Sequence, residues 1–213
     1  MKMTLILLGA SAIFLTSCVS NPDGEKAHTV DATEISSATD GTTLTIDSAA
    51  SLVKWHGKKV SGEHYGEVDI TSGNLIVSGD GKLTGGNFVI DLNSIDVQDM
   101  EPGEFRDKLT GHLKSEDFFD ASNHPTATFE ITEVKEGETA NDQIISGNLT
   151  IRGITKNITF NAKTAELTSE SVVANADFNI AREDWGVSYK GKADDLISKE
   201  INFKIKLVAK NQA

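Results

Sequence analysis

Cysteine, proline and positive charge are all scarce in this chain. Its 213 residues include one Cys, three Pro, and 20 Lys or Arg against 32 Asp or Glu, which gives a formal net charge of −12. One Cys excludes an internal disulfide, so stability has to come from packing. The acidic balance repels phosphate backbones, and we therefore expect no nucleic-acid partner. The length is sufficient for one domain with a single core.

The sequence also has no apolar run that is long enough to span a membrane. The N-terminal stretch Leu5 to Leu15 follows Lys2 and is too short for a stable membrane span. It ends in Leu15-Thr16-Ser17-Cys18, which resembles the lipobox of bacterial lipoproteins. This resemblance implies a signal peptide over residues 1–17, cleavage before Cys18, and acyl chains on Cys18 as a membrane anchor. The alternative is an ordinary cleaved signal in which the Cys is accidental.

The position and surroundings of Cys18 also predict a location. Val19 is not the acidic residue associated with inner-membrane retention, so we expect a lipid-anchored protein of the cell envelope, on the outer membrane and facing the periplasm. Residues 18–43 are mostly small and polar and show no apolar period. They are predicted to form a flexible tether between the anchor and a domain over residues 44–210.

Apolar residues alternate with polar ones through most of residues 44–210. Phe88, Ile90 and Leu92 alternate with Asp91 and Asn93, and the segment 201–209 repeats the pattern. A period of two is typical of strands with one buried and one wet face. Turn signals rich in Gly separate seven or eight such segments. They predict an all-β domain whose antiparallel sheet closes on itself, since closure removes exposed edges.

One segment has a helical period instead. Phe105, Leu109 and Leu113 fall at i, i+4 and i+8, which predicts a short helical segment over about 102–117 that covers one end of the barrel. Gly111 is expected to cut this helix into pieces. A second, weaker helical turn is predicted over 193–197.

Three ordered motifs then point to a family. They are the stretch 111–129, which begins Gly-His-Leu-Lys-Ser-Glu-Asp-Phe-Phe-Asp, the stretch 147–156, and Arg-Glu-Asp-Trp-Gly at 182–186. Together they resemble the YceI family of lipocalin-like, lipid-binding envelope proteins, over about 44–209. The stretch 53–57 departs from the commonest pattern and indicates a lipoprotein-like branch. The resemblance implies an extended eight-stranded antiparallel lipocalin-like β-barrel that holds a long apolar lipid, of polyisoprenoid, isoprenoid quinone or fatty amide type.

Large apolar side chains on the predicted inward faces are candidates for lining such a site, although each of them could equally be ordinary core. An eight-stranded barrel leaves room for side chains or for one slender ligand. Three basic residues could bind an anionic headgroup at the barrel mouth. The alternative is that they are ordinary solvated residues of the surface. The candidate lining residues are Trp55, Phe88, Ile90, Phe105, Leu109, Leu113, Phe118, Phe119, Phe129, Ile131, Phe178, Ile180 and Trp185. The headgroup candidates are Arg106, Lys114 and Arg182.

Motifs for catalysis or metal binding are missing from the sequence. No nucleophile elbow, phosphate loop, dinucleotide fingerprint or His-Glu-x-x-His pair occurs, and no pair of His residues has zinc-type spacing. We therefore expect a non-enzymatic protein without a metal or cofactor, which binds, stores or transports its lipid. The alternatives are a structural or stress-related envelope lipoprotein with a filled core and, third, a hydrolase. A homodimer is left open.

Overall fold

The computed structural model describes residues 19–35 and 40–211. The predicted signal peptide and Cys18 lie outside these residues and stay predictions. The described chain contains one α-helix, α1, one 3-10 helix and twelve strands that form a single sheet system. The helices are α1 (Glu104–Lys114) and the 3-10 helix Arg182–Trp185. The strands are β1 (Glu25–Lys26), β2 (His28–Asp31), β3 (Thr42–Ile46), β4 (Leu52–Lys59), β5 (Gly62–Val77), β6 (Leu83–Val97), β7 (Thr126–Glu136), β8 (Asp142–Ile151), β9 (Ile154–Leu167), β10 (Ser171–Ala181), β11 (Gly191–Lys192) and β12 (Asp195–Lys210).

Eight of these strands close into a barrel. In order around the wall they are β4, β5, β6, β7, β8, β9, β10 and β12, and β12 pairs back with β4. Every pairing in this ring is antiparallel. The predicted all-β, eight-stranded antiparallel barrel is therefore confirmed. Short hairpins join β4 to β5, β5 to β6, β7 to β8, β8 to β9 and β9 to β10, which is the arrangement that local alternation and Gly-rich turns favour, whereas α1 lies between β6 and β7.

The side-chain alternation has the predicted direction. Phe88, Ile90 and Leu92 of β6 point into the barrel, as do Phe203 and Ile205 of β12. Intervening residues of these strands point outward. Since the period of a strand is two, the register that buries one of these side chains buries the whole set.

Direct pairing is interrupted at the seam of the barrel wall between β9 and β10. Their direct pairing stops at Ala162 and Ala176. Beyond that point β1 pairs in parallel with β10, and β2 pairs antiparallel with β9. We call residues 21–33, which include these two short strands, the N-terminal strap. The prediction of a free tether over 18–43 is therefore wrong for this stretch, because it binds the barrel mainly through backbone pairing, which needs no apolar pattern.

Strand β3 closes the end of the barrel opposite α1. It pairs with β5 on one side and with β12 on the other. At this end Leu44, Val77, Val172 and Ala209 all belong to the core and are fully buried. This end is therefore filled by side chains.

The predicted short helix at one end of the barrel is confirmed as α1, within the predicted 102–117. The expected break at Gly111 is wrong: the helix continues through Gly111, which faces open space, so that the only penalty is the low helix propensity of Gly. The predicted turn over 193–197 is wrong, since 193–194 form the tight turn between β11 and β12. The 3-10 helix was not predicted, because four residues are too few to show a helical period.

No helix within residues 19–35 and 40–211 is both long enough and apolar enough to cross a membrane.

Candidate functional site: an apolar cavity inside the barrel

The barrel encloses a cavity of about 150 Å³ whose surface is entirely apolar. All eight barrel strands contribute side chains to its lining, and Phe119, after α1, adds one more. Apolar side chains make up most of the lining, and such a surface holds water poorly and favours an apolar occupant. A filled core would leave no such space at normal packing density.

Aromatic side chains form a belt around the inside of the wall. Ring centroids of Phe88 and Phe129 lie 5.9 Å apart in a stacked pair, and those of Phe160 and Phe178 lie 4.2 Å apart. Phe129 also contacts Phe160, and Phe178 contacts Phe203, at centroid distances of 5.8 and 6.3 Å. These separations are typical of favourable aromatic pairs. Together with Trp55 on β4, the rings of the belt form much of the cavity wall.

Two glycines make room for the belt. A Cβ on Gly147 would lie 2.2 Å from the Phe129 ring, and a Cβ on Gly66 would lie 2.7 Å from the Trp55 ring. Any larger residue would push these rings out of position. The Trp55 Nε1 is buried and has no hydrogen-bond partner among the described residues, which leaves an unsatisfied donor beside the cavity.

The predicted lining residues divide into two groups. The first group lies on the inward faces of the barrel strands, or just after α1, and lines the cavity. Its members are Trp55, Phe88, Ile90, Phe119, Phe129, Ile131 and Phe178.

The second group lies elsewhere, and here the sequence prediction is corrected. Phe105 is 75% exposed on the outer face of α1. Leu109, Leu113 and Phe118 pack into the core at the α1 end. Ile180 is buried near the end of β10, beyond the cavity.

Trp185, the last member of that second group, seals the α1 end of the barrel. It is fully buried, and its Nε1 donates to the Leu149 carbonyl at 3.0 Å. The large apolar side chains near α1 thus fill this end of the barrel.

None of the three headgroup candidates stands at an open mouth. Arg182 is only 2% exposed; its Nε donates to the Ser198 carbonyl at 2.8 Å and its Nη1 to the Val187 carbonyl at 2.6 Å. Burial lowers the pKa of this guanidinium. Arg106 pairs with Asp96 at 2.5 Å. Lys114 is half-buried in the last turn of α1, at the end that Trp185 closes.

Many of the lining residues were missed because the sequence analysis favoured aromatic and helical positions. The alternation itself could have identified them, since every second residue of a strand faces the same side of the sheet. The missed aliphatic lining residues are Val53, Val68, Ile70, Leu75, Leu83, Leu92, Ile95, Ala127, Ile145, Leu149, Ile151, Ile158, Ala162, Ala174, Ala176, Ile205 and Leu207.

Chemically reactive arrangements are not found in this part of the molecule. Gln143 and Thr164 are the buried polar residues that border the cavity, and neither titrates. Within the described residues, no group of three or more His, Cys, Asp or Glu side chains could hold a metal ion. What the site offers is therefore shape and apolar surface.

Comparison with known proteins identifies the family. The YceI-like domain matches residues 44–209, which is most of the chain. The chain belongs to the YceI-like domain family. A UPF0312 protein of Pseudomonas aeruginosa is 49% identical over 74 residues, which are 35% of this chain and 34% of that protein. The match thus spans about a third of that relative's length.

Two solved structures share the fold at low sequence identity. BcnA of Burkholderia cenocepacia superposes with a TM-score of 0.65 at 22% identity, and the match covers 77% of this chain and 99% of BcnA. A polyisoprenoid binding domain from Saccharophagus degradans superposes with a TM-score of 0.59 at 17% identity, over 80% of this chain and 99% of that domain. At such identities the likeness supports the barrel fold alone.

Proposed function

We propose that this YceI-like protein binds one long apolar chain, of the polyisoprenoid type or similar, inside its barrel. The single observation that carries the proposal is the largely apolar cavity ringed by the aromatic belt. A related fold from Saccharophagus degradans is described as polyisoprenoid binding, which supports the same class of ligand. The family and its structural neighbours favour a binding role over catalysis.

The energetics of a buried chain are sufficient for useful affinity. Each methylene moved from water into an apolar site contributes about 0.8 kcal/mol, so about a dozen methylenes give roughly 10 kcal/mol before association costs. Those costs are about 4–15 kcal/mol, and a preformed wall keeps them toward the lower end. A hydrocarbon chain without internal polar groups fits this surface best, because an unpaired polar atom in it would be penalised.

Extraction of lipid from the protein purified from its native membranes tests the proposal. Mass spectrometry of the extract should find one class of long-chain lipid in near-equal molar amount to protein. A variant that fills the cavity, Ala174→Leu, should carry less of it, because Ala174 lines the cavity on β10. Ala140→Leu, on the exposed turn between β7 and β8, is the matched control. A parent protein that carries no lipid would favour a structural role with an unused cavity.

The envelope location is a second part of the proposal. Cys18 is proposed to carry the acyl anchor and to hold the protein at the outer membrane, on the strength of the lipobox resemblance. Cys18→Ser should give a folded protein that leaves the membrane fraction. If the variant stays in that fraction after a high-salt wash, the anchor is elsewhere.

A further inference from the structure

We propose that the seam where β9 and β10 part is the port through which an apolar chain reaches the cavity, and that the N-terminal strap is its gate. The inference rests on the proposed function, since a port has meaning only if the cavity takes a ligand. It assigns a role to a segment that the sequence marked only as a spacer.

Neither end of the barrel offers a route to the cavity. Trp185 and Phe118, both buried, fill the end beside α1. The loop after α1 is fixed there as well, because Arg152 Nη1 donates to the Glu116 carbonyl at 2.6 Å and also to the Phe118 carbonyl. At the opposite end Leu44 and Val77 are completely buried. Passage at either end would require tightly packed side chains to leave the core.

At the seam a groove on the outer surface lies close to the cavity. Outside the barrel, a groove of about 810 Å³ crosses β8, β9, β10 and β12. Ala162 and Ala176, the last directly paired residues of β9 and β10, border both this groove and the cavity. Their small side chains leave little more than backbone between the two spaces. Immediately beyond them, Phe160 and Phe178 of the belt face each other across the seam.

The strap closes the seam just where direct pairing stops. Ala27 lies between β1 and β2, is 4% exposed, and donates its N–H to the Asn179 carbonyl at 2.9 Å. On the other side of the seam Asn161 Nδ2 donates to Glu25 Oε2 at 3.0 Å. Thr29 pairs with Ile158, which lines the cavity. The strap therefore completes the wall over lining residues that β9 and β10 alone would leave uncovered.

Hydrogen bonds hold the strap in place, with little apolar packing. Only Pro22 and Ala27 of residues 21–33 are buried. Besides the backbone pairs, Asn148 Nδ2 donates to the Thr33 carbonyl at 2.8 Å. The ion pair of Lys156 with Asp31, whose side chain is 94% exposed, contributes little. A segment without a packed apolar face can open locally while the rest of the barrel stays folded.

The strap also begins close to the proposed anchor. Ser198 Oγ donates to Asn21 Oδ1 at 2.8 Å, and Asn179 Nδ2 donates to the Pro22 carbonyl at 2.9 Å. Asn21 is three residues after Cys18 in sequence, a reach of only about 10 Å for extended chain. An acylated Cys18 would thus hold this side of the barrel, with the seam, close to the lipid headgroups, where an apolar chain can pass without crossing water.

Locking the strap tests the gate. His28 and Thr159 are opposite each other in the pairing of β2 with β9, and opposite residues of antiparallel strands are within disulfide range. The full chain would carry His28→Cys and Thr159→Cys, with Cys18→Ser to leave no other thiol. The probe is diphenylhexatriene, a slender apolar fluorophore, delivered from phosphatidylcholine vesicles. Energy transfer from tryptophan reports its uptake, since Trp55 lines the cavity.

The oxidised lock should slow uptake several-fold, and reduction should restore the rate of the protein with Cys18→Ser alone. Gly24→Ala should act in the opposite sense, because Gly24 has φ +145° and a Cβ there would lie 2.4 Å from Asn179 and Asn202. It should speed uptake several-fold, whereas Gly62→Ala, in open space, should not. A parent that never takes up probe overturns the proposed function, and the gate with it. Uptake by the parent at a rate that the oxidised lock leaves unchanged overturns the gate alone.

Discussion

Filling the cavity by mutation should stabilise the delipidated protein. Ala174 lies on β10 and lines the cavity, and its side chain is only partly buried although it points inward. Leu at this position would extend into space that is empty in the free protein. A cavity of about 150 Å³ has room for the added atoms.

The expected gain follows from the area removed from water. Leu adds three carbon atoms to Ala, each worth about 0.8 kcal/mol when buried, or roughly 2 kcal/mol in total. The restricted Leu rotamers take back about 0.5–1 kcal/mol. A net gain of about 1–2 kcal/mol should raise the Tm of a domain of this size by about 2–8 °C.

Thermal unfolding of the delipidated parent and variants measures this gain. Ala174→Leu should unfold at a higher temperature than the parent, and Ala140→Leu, on an exposed turn, should match the parent. In a filled core the same substitution overpacks and costs about 1–3 kcal/mol. A lower Tm for Ala174→Leu would therefore refute the assignment of an empty site.

Three further perturbations test other parts of the structure. Phe203→Asp should lower the free energy of unfolding by about 3 kcal/mol or more, since it places an unpaired carboxylate at the cavity. Lys204→Asp, on the outer face, should change it by less than about 0.5 kcal/mol in the same denaturant unfolding. Equal effects of the two variants would contradict the assigned inward and outward faces. Arg182→Met should cost about 2–4 kcal/mol because two buried carbonyls lose their donor, with lipid content unchanged; loss of lipid without loss of stability would make Arg182 a ligand contact after all. The hydrogen bond from Lys59, with help from Ser61, lowers the pKa of Asp195 to about 2, so its contribution to stability is complete above about pH 4 and is lost as the pH falls through 2. Acid unfolding of Asp195→Asn should lack that component, and a pH profile identical to that of the parent would contradict it.

The barrel wall could be predicted from sequence because alternation is a local property. In the stretches 88–92 and 201–209 the apolar residues are two positions apart, which identifies the inward face of the strand without knowledge of its partner. The strap could not be predicted in this way. Its partners on β9 and β10 are more than 100 residues away, and its contacts are backbone pairs and Asn side chains, which carry no apolar period.

The candidate site was predicted in part for the same reason. The alternation of inward and outward side chains placed Trp55, Phe129 and Phe178 correctly at the cavity. It could not tell the middle of the barrel from its ends, and this is why Trp185 was assigned to the site. The same alternation predicts that Asn202 faces solvent. Asn202 is only 1% exposed, however, because the strap covers it at Gly24.

The central claim is that the barrel holds a single apolar chain in its cavity. Native mass spectrometry of the delipidated protein, incubated with a long-chain polyisoprenoid alcohol, tests it most directly. The parent should form a complex with one chain per barrel, and Ala174→Leu should form markedly less of it than Ala140→Leu. No complex with the parent, or equal binding by both variants, would contradict the claim.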